Sequence, residues 1–512
     1  MRKRRVKIIL LVFFVPIVLL FVFLLEERVR GKVGLARCKR ELVANGLKIS
    51  PRDFAIPPRA QENAAPELYE AIKHLKEGAV LPKRYPPAMR LTPSGNAIVG
   101  FREDQWVEDR LTNRWEELSA DLKANEAVLA RIRPGLAKPV LHNDLDYSQG
   151  PNLKLPHLSH AKQLTSWFGP ATQLALHEGK SREALEALLA HIRIPRLLAE
   201  DRLVISELVR IAIAAIARGR LWEALQADDL TDEDLARLQE AWESQHFATP
   251  IADSLEGEMA FVSVAFELMR HSNEEAVSIL YGLEKIFPIE DSDRPWWERT
   301  LRSLPQGEAL VDFLKKEVYC RIWRFAWLDQ QEQHYLKTFQ RLLGIARTAA
   351  ATKSFAGVRP VIDQCESEVM DRSCYDRLRY PNPNSPITLS RSLNKAMRAE
   401  TERSLVICAI ALKRFLLRHG KAPASLDSLV PVFVESVPMD YMDGKPMKYR
   451  MNSDGLFTLY SVGDDAKDDG GDPAMQPGRS NLRNLWDRND FVWPSAASTE
   501  EIKAYRQEST KE

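Results

Sequence analysis

Two histidines, His157 and His160, stand three residues apart as His-x-x-His, with His142 upstream and His177 and His191 downstream. Side chains three apart on a helix share a face, so the spacing permits a metal site without demanding one. No His-Glu-x-x-His is present, and Pro156 puts His157 at a helix start or in a loop. The plainer reading is capping and surface histidines. No Gly-x-Ser-x-Gly elbow, no Walker loop and no Gly-x-Gly-x-x-Gly leading into a helix occurs. Five cysteines, Cys38, Cys320, Cys365, Cys374 and Cys408, include no Cys-x-x-Cys pair, which argues against a zinc ribbon or a thioredoxin-type motif. Cys365 and Cys374 lie in the polar segment QCESEVMDRSCYD. In an oxidising compartment they are able to pair; otherwise they are two thiols in a loop. Phe313, Tyr319, Trp323, Phe325, Trp327, Tyr335 and Phe339 form a dense aromatic set. Core packing is its default use, a ligand cleft the sharper alternative. The many helical carboxylates read as solvated faces. No catalytic constellation and no cofactor motif emerges.

The elements that must position these residues are mostly helices. The 512 residues, 45% apolar and 28% charged, suit a globular body of several domains. A net charge of +1 argues against a nucleic-acid binder. A helix is expected near Ala65–Glu77, and YPPAMRLTPSGN reads as a linker or irregular surface loop. The pattern is helical from about Glu103 to Arg131, ending at Pro134. Further helices are expected at 159–178, 181–199, 203–226, 232–246 and 252–270, and a long helical stretch at 307–348. Gly179 marks a helix end and Ser181 the next cap. Thr231 to Asp234 reads as a capping box with an acidic first turn. One fragment, HEGKSREALEALLAHI, has the flavour of a helical repeat, and an irregular bundle is preferred over a solenoid.

Ile8 to Leu25 is an uncharged run of eighteen residues. As a helix it nearly spans a hydrocarbon core about 30 Å thick. Arg2, Lys3, Arg4, Arg5 and Lys7 precede it and hold the N-terminus in the cytoplasm by the positive-inside rule. Glu26-Glu27-Arg28 offers no small-x-small cleavage site, so an uncleaved anchor is expected, with the bulk of the chain periplasmic. The expected order is a basic tail (1–7), a transmembrane helix (8–25), a stalk and Pro-rich linker (26–100), a helical domain (101–374), a linker (375–390), an α+β module (391–498) and a polar tail (499–512). The fold class is mainly α, with a small C-terminal α+β part.

The α+β part opens with the helix KAMRAETERSLVICAIALKRFLLRHG. Asp443-Gly444 is a hairpin signal between apolar runs, and Asp454-Gly455 a second. Met447, Tyr449 and Met451 alternate with Lys448 and Arg450, a strand pattern, and Leu456 to Val462 is a second strand. The ordered set Leu412, Phe415, His419, Gly420, Pro423, Leu426, Leu429, Val430, Val437, Pro438, Asp440, Gly444, Pro446, Tyr449, Leu459, Tyr460, Ser461 and Gly463 resembles the globular part of the major pseudopilin of type II secretion systems. The resemblance covers about one hundred residues, roughly 393–494. The whole chain resembles membrane-anchored bacterial envelope proteins.

In that family an acidic loop after the second strand binds calcium, a hard cation suited to carboxylate oxygens. The resemblance therefore implies a Ca²⁺ site at Asp465, Asp472 and Asp490, within a loop that also holds Asp464, Asp468, Asp469, Gly470 and Gly471. An insertion, AMQPGRSNLRNLWDRN, interrupts the family pattern and puts closure of the site in question. A second departure is that about 390 residues precede the module's helix, so the chain cannot polymerise as a pilin does. Two functions follow: a non-enzymatic scaffold with a calcium-binding docking head, linked to a type II secretion-like assembly, or an envelope hydrolase or ligand-binding receptor using a cleft near His157 and His160.

Overall fold

The computed structural model describes residues 2–54, 63–108, 111–286, 296–370, 373–381, 389–453, 456–479, 481 and 484–509, with side chains from Phe14 onward except at residues 108, 282–286, 296–297, 369–370, 374 and 508–509. Helix makes up 65% of it and strand 7%, in line with the mainly α expectation.

The chain opens with one continuous helix, α1 (Arg2–Ala44), which carries Pro16 internally. Beyond Leu25 its buried positions are Glu27, Gly31, Leu35, Cys38 and Leu42, three or four apart, so one stripe faces inward. That stripe packs on a later helix of residues 328–352. Gly31 and Gly34 allow the approach, since a Cβ there would meet Gln330 and Gln333 at 3.0 and 2.7 Å. The residues expected to form a free stalk are thus part of the core. Among the described residues no helix is long and apolar enough to cross a membrane; the first six residues of the Ile8–Leu25 run precede the described side chains.

After α2 (Ala65–Ile72), the Pro-rich stretch is not a loose linker. β1 (Arg90–Leu91) pairs with β2 (Ala97–Ile98), and Leu91, Thr92, Ala97 and Ile98 are buried. The helix expected from Glu103 begins later. Two strands pair antiparallel there, β3 (Gln105–Glu108) with β4 (Leu111–Arg114), and Trp106 faces inward against Trp115. Trp106 and Asn113 are directly paired, so side-chain alternation overrides the helical spacing there. Helices α3 (Trp115–Ala124) and α4 (Glu126–Leu136) follow, divided at Asn125, whose side chain hydrogen-bonds Lys76. Pro134 lies inside α4, which ends two residues later.

The middle of the chain follows its pattern closely: α5 (Pro156–His177), α6 (Ser181–Arg193), α7 (Val204–Leu225), α8 (Asp232–Glu243) and α9 (Ala248–His271). Gly179 takes the left-handed conformation after α5. The Thr231–Asp234 capping box is formed, whereas Lys180 rather than Ser181 occupies the cap of α6. Next come α10 (Asn273–Ile286), α11 (Trp296–Arg302), α12 (Gly307–Phe313), a π-helical turn (Leu314–Tyr319), α13 (Cys320–Ala326) and α14 (Leu328–Thr352). In the aromatic set Trp323, Trp327, Tyr335 and Phe339 are core, while Phe313 is exposed. The cysteine segment is helical rather than looped: Cys365 lies in α15 (Arg359–Met370), buried and unbridged, and Cys374 begins α16 (Cys374–Arg379).

The C-terminal part has the expected helix and antiparallel sheet: α17 (Ser390–His419), a short hairpin β5 (Met439–Asp440) with β6 (Lys445–Pro446), then β7 (Lys448–Met451), β8 (Phe457–Ser461) and β9 (Phe491–Val492) in the order β7-β8-β9. Gly444 makes the predicted turn with positive φ; Asp454-Gly455 lies outside the described residues. This part is not a detached head. α17 runs between α7, α8 and α9, and Leu405 to Leu412 are buried all round it. One core joins it to α1, α6, α9 and α14. The polar tail is docked as α18 (Thr499–Ser509), where Glu501 accepts from Asn96 at 2.9 Å and Arg506 meets Glu103 at 2.6 Å.

Candidate functional site

Three places collect the chain's chemistry: the acidic loop, the histidine cluster and the junction between α1 and the helical body. In the acidic loop, Asp490 precedes β9 and is fully buried. Its Oδ2 accepts the amides of Gly471 and Asp472 at 2.8 and 3.0 Å, and its Oδ1 faces the Asp469 amide at 3.5 Å. Asp472 is used the same way, accepting from the Ala474 amide at 3.0 Å and the Asn489 side chain at 2.8 Å. Asp465 accepts the Lys467 amide at 3.1 Å, an Asx turn. Asp464 forms a two-pronged pair with Arg398, and Asp468 accepts from Tyr460 at 3.0 Å. The three expected calcium ligands thus each accept at least one of the loop's own donors. Among the described residues no group of three or more carboxylate, histidine or cysteine side chains is arranged to hold a metal ion. Within the insertion, Arg488, fully buried, donates to the Pro473 carbonyl at 2.6 Å and to the Thr92 carbonyl at 3.3 Å, tying the loop to the Pro-rich stretch. Burial pushes the Asp490 carboxyl up to about 6, offset in part by the three amides and reinforced by Asp469.

The histidines are cross-links rather than a cleft. His157 is buried, with Nε2 2.7 Å from Asp201 Oδ2. Asp201 Oδ1 accepts from Asn143 at 3.1 Å, and Asn143 in turn accepts from Tyr69 at 2.5 Å. Tyr69 packs on the His160 ring at 5.0 Å. The first turn of α5, α2, the loop around 143 and the turn before α7 are thereby tied together. His142 sits 3.1 Å from Glu200, and His177 stacks on Trp115 at 4.4 Å. His191 is fully buried, and burial, followed by the nearby Arg220, pushes it down to about 3. A hollow of about 230 Å³ beside His142 is lined by Phe54 and residues 142–147, without His157 or His160.

Sequence reasoning missed a repeated device. Carboxylates taken for solvated faces are buried and grip backbone amides of neighbouring loops. Asp121 accepts from Ala79, Val80 and Leu81 at 2.9, 2.8 and 3.0 Å. Glu223 accepts from Met89, Gly100 and Phe101 at 2.8, 2.9 and 3.3 Å. Glu400 caps the start of α9 through Phe247 and Ala248 at 2.6 and 3.2 Å. Asp440 binds Met442 and Val462 at 2.9 and 3.0 Å. The usable signal was an acid embedded in an apolar run, as in Leu221-Trp222-Glu223-Ala224-Leu225.

At the junction, Glu27 of α1 is buried and is gripped by side chains of α14 and α16. It receives Trp327 Nε1 at 3.1 Å, Gln330 Nε2 at 3.1 Å and the Tyr375 hydroxyl, and it pairs with Arg30 at 2.8 Å. Burial alone would raise its carboxyl; the donors together hold it below the ordinary glutamate range. One turn earlier, Phe21 stacks on Phe325 at 6.5 Å and Phe23 leans on Tyr375 at 6.1 Å. Between Phe14 and Leu25, ten large apolar side chains of α1 are exposed. No known protein family, curated protein or solved structure matches this chain.

Proposed function

We propose that this is a single-pass membrane protein, N-terminus cytoplasmic and body extracytoplasmic, that serves as a rigid scaffold or interaction platform rather than as an enzyme. The observation that carries the reading is α1 itself: one unbroken helix that leads from the uncharged Ile8–Leu25 run into the core and is locked there by Glu27. A band of exposed phenylalanine, leucine, isoleucine and valine over 14–25 is unfavourable in water and matched to lipid. The basic residues before it favour a cytoplasmic N-terminus. The pseudopilin resemblance of the α17–β9 part supports partners in a type II secretion-like assembly. A calcium-loaded version of that part would need Asp490 released from its three amides.

The test is alkaline carbonate washing of membranes from cells expressing the full chain, with protease added from either side. Retention in the pellet, loss of the body to external protease, and release on deletion of residues 1–25 are expected. A full chain that washes off overturns the anchor. Affinity capture from detergent-solubilised membranes tests the scaffold; recovery of no envelope or secretion component counts against it.

A further inference from the structure

The anchor helix does not leave the body at the end of its apolar run. Phe21 and Phe23 lie inside the run and already touch Phe325 and Tyr375. Phe21 is four residues before Leu25, roughly 6 Å along a helix axis. The part of the body that carries Phe325 and Tyr375 must then sit at bilayer depth, not above it.

The surface that continues from these two rings carries exposed apolar side chains among charged ones. Tyr375 begins a helical turn that ends at Leu378, which is 51% exposed. The Leu378 carbonyl accepts the Tyr319 hydroxyl at 2.7 Å, bringing the π-helical turn alongside α16. Val318 is exposed on that segment, and Phe313 and Leu310 are exposed on the last turn of α12 just before it. A π turn bonds residues five apart, so it keeps Phe313 and Val318 on one side where an α-helical turn would separate them. Two of the cations on this face are matched, Lys316 with Asp312 at 2.7 Å and Arg321 with Glu317 at 2.7 Å, while Arg377 beside Leu378 is exposed. Arg28 and Arg379 lie over aromatic rings, at 4.7 Å from Phe325 and 5.2 Å from Tyr375. Aromatic rings with arginines beside a membrane helix are the composition of an interfacial belt.

We infer that the face formed by α12, the π turn and α16 lies in the interfacial layer of the same bilayer, with Leu310, Phe313, Val318 and Leu378 among the lipid. The inference rests on the anchor reading above and adds a second, monotopic contact to it. Lys316 and Arg321 are neutralised by their partners and Arg377 is left exposed towards the headgroups, so apolar insertion drives the contact and zwitterionic lipid suffices. The consequence is a body tilted and fixed against the membrane, rather than one swinging on a stalk.

The test uses the full chain with Cys374→Ala, since Cys38, Cys320, Cys365 and Cys408 are buried. Single cysteines at Phe313, at Ile17 in the anchor and at Val43 at the far end of α1 carry an environment-sensitive fluorophore. The protein is reconstituted in phosphatidylcholine vesicles with and without a lipid-borne quencher. Expected are quenching of about twofold or more at both Ile17 and Phe313, because side chains at interfacial depth reach the acyl boundary, and none at Val43. Quenching at Ile17 but not at Phe313 overturns the second contact while leaving the anchor standing. Absence of quenching at Ile17 overturns both. As a second variant, Phe313→Asp with Leu310→Asp, both at exposed positions, should keep the unfolding midpoint and abolish quenching at a label on Leu378; retained quenching there also overturns the inference.

Discussion

Glu223 and Asp490 solve the same problem in two regions of the molecule. Each is a fully buried carboxylate that accepts backbone amides from an irregular loop, the Pro-rich stretch of residues 89–101 in one case and the acidic loop of 469–472 in the other. Their neighbours differ. Beside Glu223 stands the buried Arg220, which donates to the Pro86 carbonyl at 2.9 Å and so holds the same loop by its other backbone group. Beside Asp490 stand further aspartates, Asp469 above all. The first clasp is offset in charge; the second is crowded by like charge. The lesson is that a loop can be fixed by one carboxylate, but how firmly depends on what the carboxylate sees behind the amides.

The largest expected effect follows from breaking the offset clasp. Glu223→Ala orphans three amides and leaves Arg220 buried without its nearby counter-charge. Removing one partner from such a buried arrangement destabilises by about 4 kcal/mol. Denaturant titration of the full chain in detergent should show that drop; Glu223→Gln, with one acceptor oxygen kept, should fall between. A change under about 1 kcal/mol, the worth of a single exposed bond, would mean the loop is held by other contacts.

Proton uptake should separate the two regions by sign. His191 lies on the Glu223 side, where a Cβ at Gly169 would meet both its ring and Arg220, at 3.3 and 3.2 Å. Its pKa, about 3 when folded, lies below the ordinary 6.5, so the unfolded chain takes up the proton first. Its contribution is complete above pH 6.5 and is lost as pH falls, reaching about 2 kcal/mol at pH 5. Asp490 runs the other way. With a folded pKa of about 6 against an ordinary 3.8, its contribution is complete at low pH and is lost as pH rises through 6. Between pH 7.5 and pH 5 it should gain about 1 kcal/mol. Stability profiles of His191→Leu and Asp490→Asn against the parent chain read the two slopes, and equal slopes would erase the contrast.

Much of this was legible from the sequence where periodicity alone decides. The helices from α5 to α9 and the Thr231 capping box are where the apolar spacing and cap residues put them. Strand pairing in β7 and β8 followed from the alternation around Tyr449. What escaped was set by distant partners. Nothing near Trp106 and Asn113 says that they pair across a hairpin, nor does Glu27 reveal that Tyr375 will reach it. The stalk and linker looked free because Pro-rich and charged segments usually are. Here Glu223, Arg488 and Glu501 satisfy their backbone and side-chain polar groups from far along the chain. The calcium expectation came from resemblance; what the structure adds is that its three carboxylates accept local hydrogen bonds.

The acidic clasp can be sharpened further by local cleavage. Asp490→Ala leaves the Gly471 and Asp472 amides without an acceptor, at about 2 kcal/mol, and frees the loop that contains Lys467. Trypsin should cut after Lys467 faster in that variant while the rest of the chain stays protected.

The smallest expected effect is the most discriminating for this loop. Adding calcium to the full chain should leave the unfolding midpoint where it is, because the Asp490 oxygens already have donors and a cation would have to displace amides rather than water. If calcium instead bound at Asp465, Asp472 and Asp490, two signs would reverse together. The midpoint would rise with calcium by mass action. The cation would also hold Asp490 ionised, so on acidification from pH 7.5 to pH 5 the contribution of Asp490, read as the difference between the parent chain and Asp490→Asn, would be a loss instead of a gain. Measuring the calcium response at both pH values therefore distinguishes a clasp made of backbone amides from one made of metal, and Asp490→Asn must abolish whichever response is found.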